Sequence, residues 1–311
     1  MALEVTVKPA STVTATGNSF DSVKDLEFTI VLAKGVFSGT DKNTLTLSGF
    51  RAVVDIDNAG SIDQFYQAPL ATCRIYGMSM SDMNQLTILN NNINGIMNNT
   101  ITIVAIDGAT RTTVYYGQIT NAWPDFSSMP DVCFRISTNA GYTAATKPAQ
   151  PTSFDGDTDA KELFKFFANQ MGMEFEGDQV TGVFRHYHFD NSYLQQAQKA
   201  ATDANLDLLL DINTLVVLPK NKNRKLMVPV IDEFSGLIGY PHLDIIGPYF
   251  TTLFNPALRI HGQVILRNSI VTPANGKWSV IGIKHHLSSN LPNGPWFTEV
   301  RCSQKELVIS G

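Results

Sequence analysis

The chain has 311 residues, of which 43% are apolar and only 16% charged, with a formal net charge of −5. At roughly 100–200 residues per domain, that length predicts two or three domains, each with apolar residues enough for its own core. The absence of any long basic block argues against a dedicated nucleic-acid binder, which needs a phosphate-neutralising patch; a charge content well below the roughly 25% of ordinary soluble proteins suits β-structure and large protein contacts, where charge is costly to desolvate.

Residues 1–145 read as strands. Leu26, Phe28, Ile30 and Leu32 alternate with polar or small partners, as do Leu45 and Leu47. TITIVAI, the Asp107-Gly108 turn and TRTTVYYGQI predict a hairpin, because β-branched and aromatic runs flank an Asp-Gly pair. VDIDNAGSIDQFYQAPLATCRIYGM predicts a strand, a polar loop and a strand, and Gly60, Gly77, Gly95 and Gly117 punctuate the runs. CFRISTNAGY closes the region. Several short strands with loop signals predict a barrel or a small sandwich. Pro148 and Pro151 among small residues mark a linker over 146–154.

The period then changes. Ala160, Leu163, Phe164, Phe167, Ala168 and Met171 form one apolar helical stripe. Asp159 and Glu162 predict its start, and Gly172 its end. A second helix is predicted from Ser192, with Gln195 completing a capping box. Leu194, Ala197, Ala201 and Ala204 form its narrow stripe, and Asn205 ends it. VTGVFRHYHF and LDLLLDINTLVVLP are strand-like, the latter a hairpin turning at Ile212-Asn213-Thr214. Residues 155–220 thus predict a small α+β module. Residues 221–311 return to strands, clearest in QVILRNSIV, KWSVIGIKHHL and WFTEVRC, with turns at Asn275-Gly276 and at Pro292 to Pro295. Val280 and Ile281 are expected on opposite faces, one in a core and the other toward a neighbour or solvent. No clean sequence repeat relates the two β regions. The fold class is mainly β with an α+β insert: 1–145 and 221–311 flank 155–220.

The polar constellations are weak as sites. Asp155, Asp157 and Asp159 have the spacing that opens a calcium loop, but Ala160 stands where glycine is needed and Phe166 where a bidentate glutamate is needed. The cluster reads as helix capping and a solvated turn. His186 and His188, two apart on a predicted strand, share a face with Asp190, yet no third ligand completes a metal site. His285 and His286 are adjacent, so they point to opposite faces and one packs inward. The run Lys220 to Lys225 reads as a solvated loop between domains. Trp123, Trp278 and Trp296 read as core or interface residues, with Trp296 pinning the last hairpin. Phosphate-loop, dinucleotide and nucleophile-elbow motifs are missing. No catalytic, cofactor or metal residue is nominated. Cys73, Cys133 and Cys302, odd in number and far apart, predict small buried thiols of a cytosol-made protein. Neither a signal peptide nor a membrane span is expected.

Four stretches carry a family likeness: GQITNAWPDFSSMPDVCFRISTNAGY; DAKELFKFFANQMGMEFE followed by SYLQQAQKAATDANLDLLLDINTLVVLP; SGLIGYP followed by LFNPALRI; and NGKWSVIGIKHHLSSNLPNGPWFTEV. In this order the chain resembles the central baseplate hub protein of contractile phage tails, in T-even, Mu-like and P2-like phages, and the hub half of VgrG proteins. Arg259-Ile260-His261-Gly262 departs from the expected tighter Ile-Gly step. The resemblance implies two tube-like β-barrel domains and a trimeric, pseudo-sixfold ring. It implies a structural protein without cofactors, made in the host cytoplasm and placed in the virion tail baseplate. Its implied partners are further copies of itself, the tail tube protein, the central spike protein and other baseplate proteins, with genome DNA passing through the lumen unbound during ejection. A tail-associated peptidoglycan hydrolase and a host-binding tail module are the alternatives.

Overall fold

The computed structural model describes residues 22–59, 68–87, 99–154 and 156–303. Gly60, Gly95 and Asp155 lie outside them.

The first region contains β1 (Lys24–Val31), β2 (Thr44–Leu47), β3 (Ala52–Ala59), β4 (Leu70–Tyr76), the short helix α1 (Met80–Leu86), β5 (Thr100–Asp107), β6 (Thr110–Asp125) and β7 (Cys133–Asn139). Period-two patterning decides which face is buried: Leu26, Phe28 and Ile30 of β1 and Ile101 and Ile103 of β5 are wholly buried in one core. β5 and β6 form the predicted hairpin, closing at Asp107↔Thr110 with Gly108 at φ 58°. Gly117 does not punctuate a run as its sequence context suggests. It sits inside β6 opposite Ile101, where an added methyl would run into the buried Tyr115 ring.

The middle contains α2 (Tyr142–Thr146), β8 (Thr152–Ser153), β9 (Asp157–Asp159), α3 (Ala160–Met171), β10 (Glu174–Glu176), β11 (Val183–Arg185), β12 (His188–Phe189), α4 (Tyr193–Asp203), β13 (Leu206–Asp211) and β14 (Thr214–Pro219). Both predicted helices form with their predicted caps. The Asp159 carboxylate accepts from the Lys161 and Glu162 amides, Gly172 is left-handed, and Ser192 and Gln195 make a reciprocal capping box. β10, β14 and β13 form a three-stranded sheet. Four consecutive residues of β14 are buried because both faces are covered: Leu215 and Val217 pack against α3 and α4, Val216 and Leu218 against the last β region.

The last region contains β15 (Val230–Ile231), β16 (Leu237–Leu243), β17 (Pro248–Leu253), β18 (Gln263–Leu266), a 3-10 turn (Thr272–Ala274), β19 (Gly276–Ser289) and β20 (Trp296–Ser303). β18 is shorter than the run QVILRNSIV suggests. The chain leaves the sheet at Arg267, whose guanidinium bonds Asp232, and Asn268 turns at φ 58°. Asn275 closes the resulting loop through both ends of its amide to Ser269. Val280 and Ile281 are both buried, contrary to the alternation expected of them, because β19 shifts register against β20 between Val280 and Gly282.

The two β regions share one 13-stranded sheet, in the order β16-β17-β20-β19-β3-β4-β7-β6-β5-β1-β2, with β18 added to β19 and β15 to β18. The order is open at both ends, so the described strands close no barrel. The joint is β3 with β19, antiparallel from Ala52↔Ser289 to Ala59↔Gly282. It is reinforced beneath the sheet, where Phe254, Leu287 and Trp296 enter the first region's core.

Strand order repeats on the two sides of that joint. In the first region β3 and β4 form a hairpin, β5 pairs with β6, β6 with β7, and the spatial order is β6-β7-β4-β3. In the last region β16, β17, β18, β19 and β20 make the same antiparallel pairings in turn, giving β19-β20-β17-β16. The sequence carries no matching repeat because each position answers only to burial on a pleated face, which many residues satisfy. Among the described residues no helix is long and apolar enough to cross a membrane.

Candidate functional site

One face of the eight strands β16, β17, β20, β19, β3, β4, β7 and β6 is the solvent-facing side of the central sheet. Its residues are the alternates of the buried ones: Thr251 of β17, Phe297 and Glu299 of β20, Lys284 and His286 of β19, Asp55 and Asp57 of β3, Thr72 of β4 and Ser137 of β7. Several charges on this face are answered by a neighbour. Lys284 pairs with Asp57 at 2.9 Å, and His286 Nδ1 meets Asp55 at 2.6 Å, both across the β3–β19 joint. Arg135 pairs with Asp125 at 2.5 Å and Arg301 with Asp244 at 2.8 Å. Hydrogen bonds from Ser127 and then Arg135 hold the Asp125 carboxyl down to about 2. Arg74 of β4, exposed on the same face opposite Arg135, has no carboxylate partner among the described ion pairs, so the cations here are scattered rather than a stripe for a polyanion.

Beneath it lies a three-way junction of the two β regions and the α+β module. Arg224, only 8% exposed, forks onto Glu176 of β10 at 2.8 and 2.6 Å. The same guanidinium reaches Asp211, at the end of β13, at 2.6 Å, and Arg259 adds a contact to Asp211 at 3.3 Å. Burial favours the neutral guanidine, but the Glu176 hydrogen bond and the Asp211 charge outweigh it and raise the Arg224 pKa. His285 is buried beside this network, bonded through Nδ1 to Thr298 Oγ1 at 2.9 Å. Burial first, then the Arg259 charge, pushes its pKa down to about 3, so it is neutral at pH 7. The run Lys220 to Lys225 is therefore not wholly a solvated loop, since Arg224 is the centre of the junction. Nothing in the periodicity marks it, because a lone arginine inside a basic run looks like any solvated charge.

The other sequence candidates do not assemble into a site. Asp159 is the N-cap of α3, and Asp157 lies 3.5 Å from Arg185. His186 and His188 do not share a strand face, because His186 turns at φ 50° between β11 and β12. His285 points inward and His286 outward, as expected of neighbours on a strand. Among the described residues no cluster of three or more His, Cys, Asp or Glu is arranged to hold a metal ion. All three cysteines are buried free thiols, and burial pushes Cys73 and Cys302 upward. Trp296 packs against the first core, edge-on to Phe254 at 5.7 Å.

The sequence matches the family described as Baseplate hub gp41 over residues 51–302. No curated protein matches it. Among solved structures, the 43 kDa tail protein of prophage MuSo2 from Shewanella oneidensis is similar at a TM-score of 0.57 and 9% identity, covering 90% of this chain and 97% of that one. A tail protein from Neisseria meningitidis MC58 is similar at 0.56 and 10%, covering 89% and 96%. The E. coli c3393 protein is similar at 0.53 and 6%, covering 81% and 73%; it is a type VI secretion component described as resembling the T4 tail proteins gp27 and gp5. At such identities these structures speak to the fold.

Proposed function

This chain belongs to the baseplate hub gp41 family, and we propose that three copies form a pseudo-sixfold ring joining the tail tube to the central spike of a contractile tail. Membership makes it a structural, non-enzymatic part of a phage tail baseplate. In the proposed ring each chain supplies two tube-like domains, 1–145 and 221–311, with the linker 146–154 leading to the module 155–220 between them. The genome passes along the ring's lumen during ejection, and this sheet face, most of whose charges are paired, is the wall it passes.

The observation that carries this reading is the repeated strand order on the two sides of the β3–β19 joint. A chain with two equivalent β units can present three copies as six similar positions, which adapts a threefold spike to a sixfold tube. Head-to-tail contacts of one kind close into a ring when the rotation permits, which fixes the copy number. Low charge content suits such interfaces. Light scattering joined to negative-stain imaging, with and without the candidate spike protein, tests it. The expected result is a threefold ring with an open channel; a compact monomer even with the spike present would overturn the reading.

A further inference from the structure

We propose that β16 of one copy seats against the open half of β6 of a second copy, Asn121 to Asp125, and that this is the contact that closes the ring. The inference rests on the ring reading above and names its surface. The chain contains one example of the joint already. In the repeated order, β3 and β16 are counterparts, as are β19 and β6. Inside the chain β3 pairs with the second half of β19, beyond the point where β18 ends. β5 likewise leaves β6 at Gln118, opposite the side taken by β7. The far side of β6 from Asn121 onward and the outer edge of β16 carry no strand partner among the described residues. These are the counterparts of two edges that are paired inside the chain.

Exposed apolar residues lie on or just beyond both free edges, where solvent would favour polar side chains. On and beside β16, Ile238 is 43% and Tyr240 71% exposed, and Ile245 beyond its end is fully exposed. Just beyond β6, in the connection to β7, Phe126 is 46% and Met129 72% exposed. Apolar residues beside two different open edges of one sheet fit a heterologous contact between copies. Each edge also carries a proline, Pro124 in β6 and Pro241 beside the β16 bulge. Proline withholds an amide donor, so the contact has fewer ladder bonds than the eight-residue internal joint and depends more on side-chain packing. The same prolines keep free chains from pairing indiscriminately along either edge.

The test uses the full chain carrying a single new cysteine, Tyr240→Cys or Phe126→Cys, under mild oxidation in the conditions that give rings. The native thiols are buried. A mixture of the two variants is expected to give a covalent dimer that neither gives alone, because the contact is head to tail. In parallel, Tyr240→Asp is expected to weaken assembly by roughly ten-fold or more, the loss typical of an aromatic interface anchor, with unaltered circular dichroism and thermal unfolding of the monomer. Rings that form normally with Tyr240→Asp and yield no mixed dimer would overturn this joint while leaving the ring reading intact, and would assign the edges to another baseplate protein. A wild-type chain that stays monomeric with the spike would overturn both.

Discussion

Removing the Arg224 guanidinium leaves Asp211, only 6% exposed, facing Arg259 alone at the end of β13. Taking one partner from a buried ion pair costs about 3–5 kcal/mol, because the remaining charge has lost both its water and its counter-ion. The Glu176 side of the fork is partly exposed and contributes less. Arg224→Ala is therefore expected to lower the urea midpoint of the chain by that free energy divided by the slope of the transition, with the slope itself unchanged. Arg224→Lys should recover only part of it, since one ammonium cannot serve Glu176 bidentately and reach Asp211 together. An Arg224→Ala midpoint equal to wild type would mean that this network does not hold the junction. Little of this was legible beforehand. Glu176, Asp211, Arg224 and Arg259 are spread over more than eighty positions of sequence, and no local pattern says that a folded junction brings them within hydrogen-bonding distance.

At the scale of single elements the sequence was most informative where the physics is local. Helix α3 begins and ends where Asp159 and Gly172 place it, and the β5–β6 hairpin turns at its Asp-Gly pair. Capping and turn chemistry depend on residues three or four apart, so the chain displays them openly. Helix α4 offers a direct measurement. Ser192 Oγ accepts from the Gln195 amide while the Gln195 side chain accepts from the Ser192 amide. Ser192→Ala removes half of that exchange and is expected to cost about 1 kcal/mol, with faster hydrogen exchange confined to the first turn of α4. Exchange that quickened equally across α3 would indicate that the cap supports the whole module rather than one helix end. What local reading missed in these elements came from tertiary partners. Gln196 lies inside α4 yet is fully buried, because its amide reaches the carbonyls of Gln150 and Asn191 and ties the segment after α2 to the helix. β19 bulges at Ile281, and this turns two successive residues inward.

The architecture of the whole molecule lies furthest from the sequence, since the β3–β19 joint pairs residues more than two hundred positions apart. Alternating hydrophobicity announces strands and their buried faces, but not which strand lies beside which. The joint has an energetic consequence. Leu287 and Phe254, contributed by the last region, are buried in the first region's core, and Val216 and Leu218 of the middle module are buried with the last region. Unfolding any one region would strip apolar cover from another, at roughly 25 cal/mol for each Å² newly exposed, and would free a row of backbone donors and acceptors along β3. A chain of three independent domains would melt in separate steps; one whose cores interlock in this way should not. Scanning calorimetry is expected to show a single transition with calorimetric and van't Hoff enthalpies in agreement. Leu287→Ala, which opens a cavity at the joint, should shift that whole transition downward by the equivalent of about 2–5 kcal/mol. Two resolved transitions, with only the first moved by the substitution, would show that the shared sheet does not couple the regions. A coupled chain suits the proposed role, because a ring built from two β units per chain transmits load between its neighbours only if those units do not part.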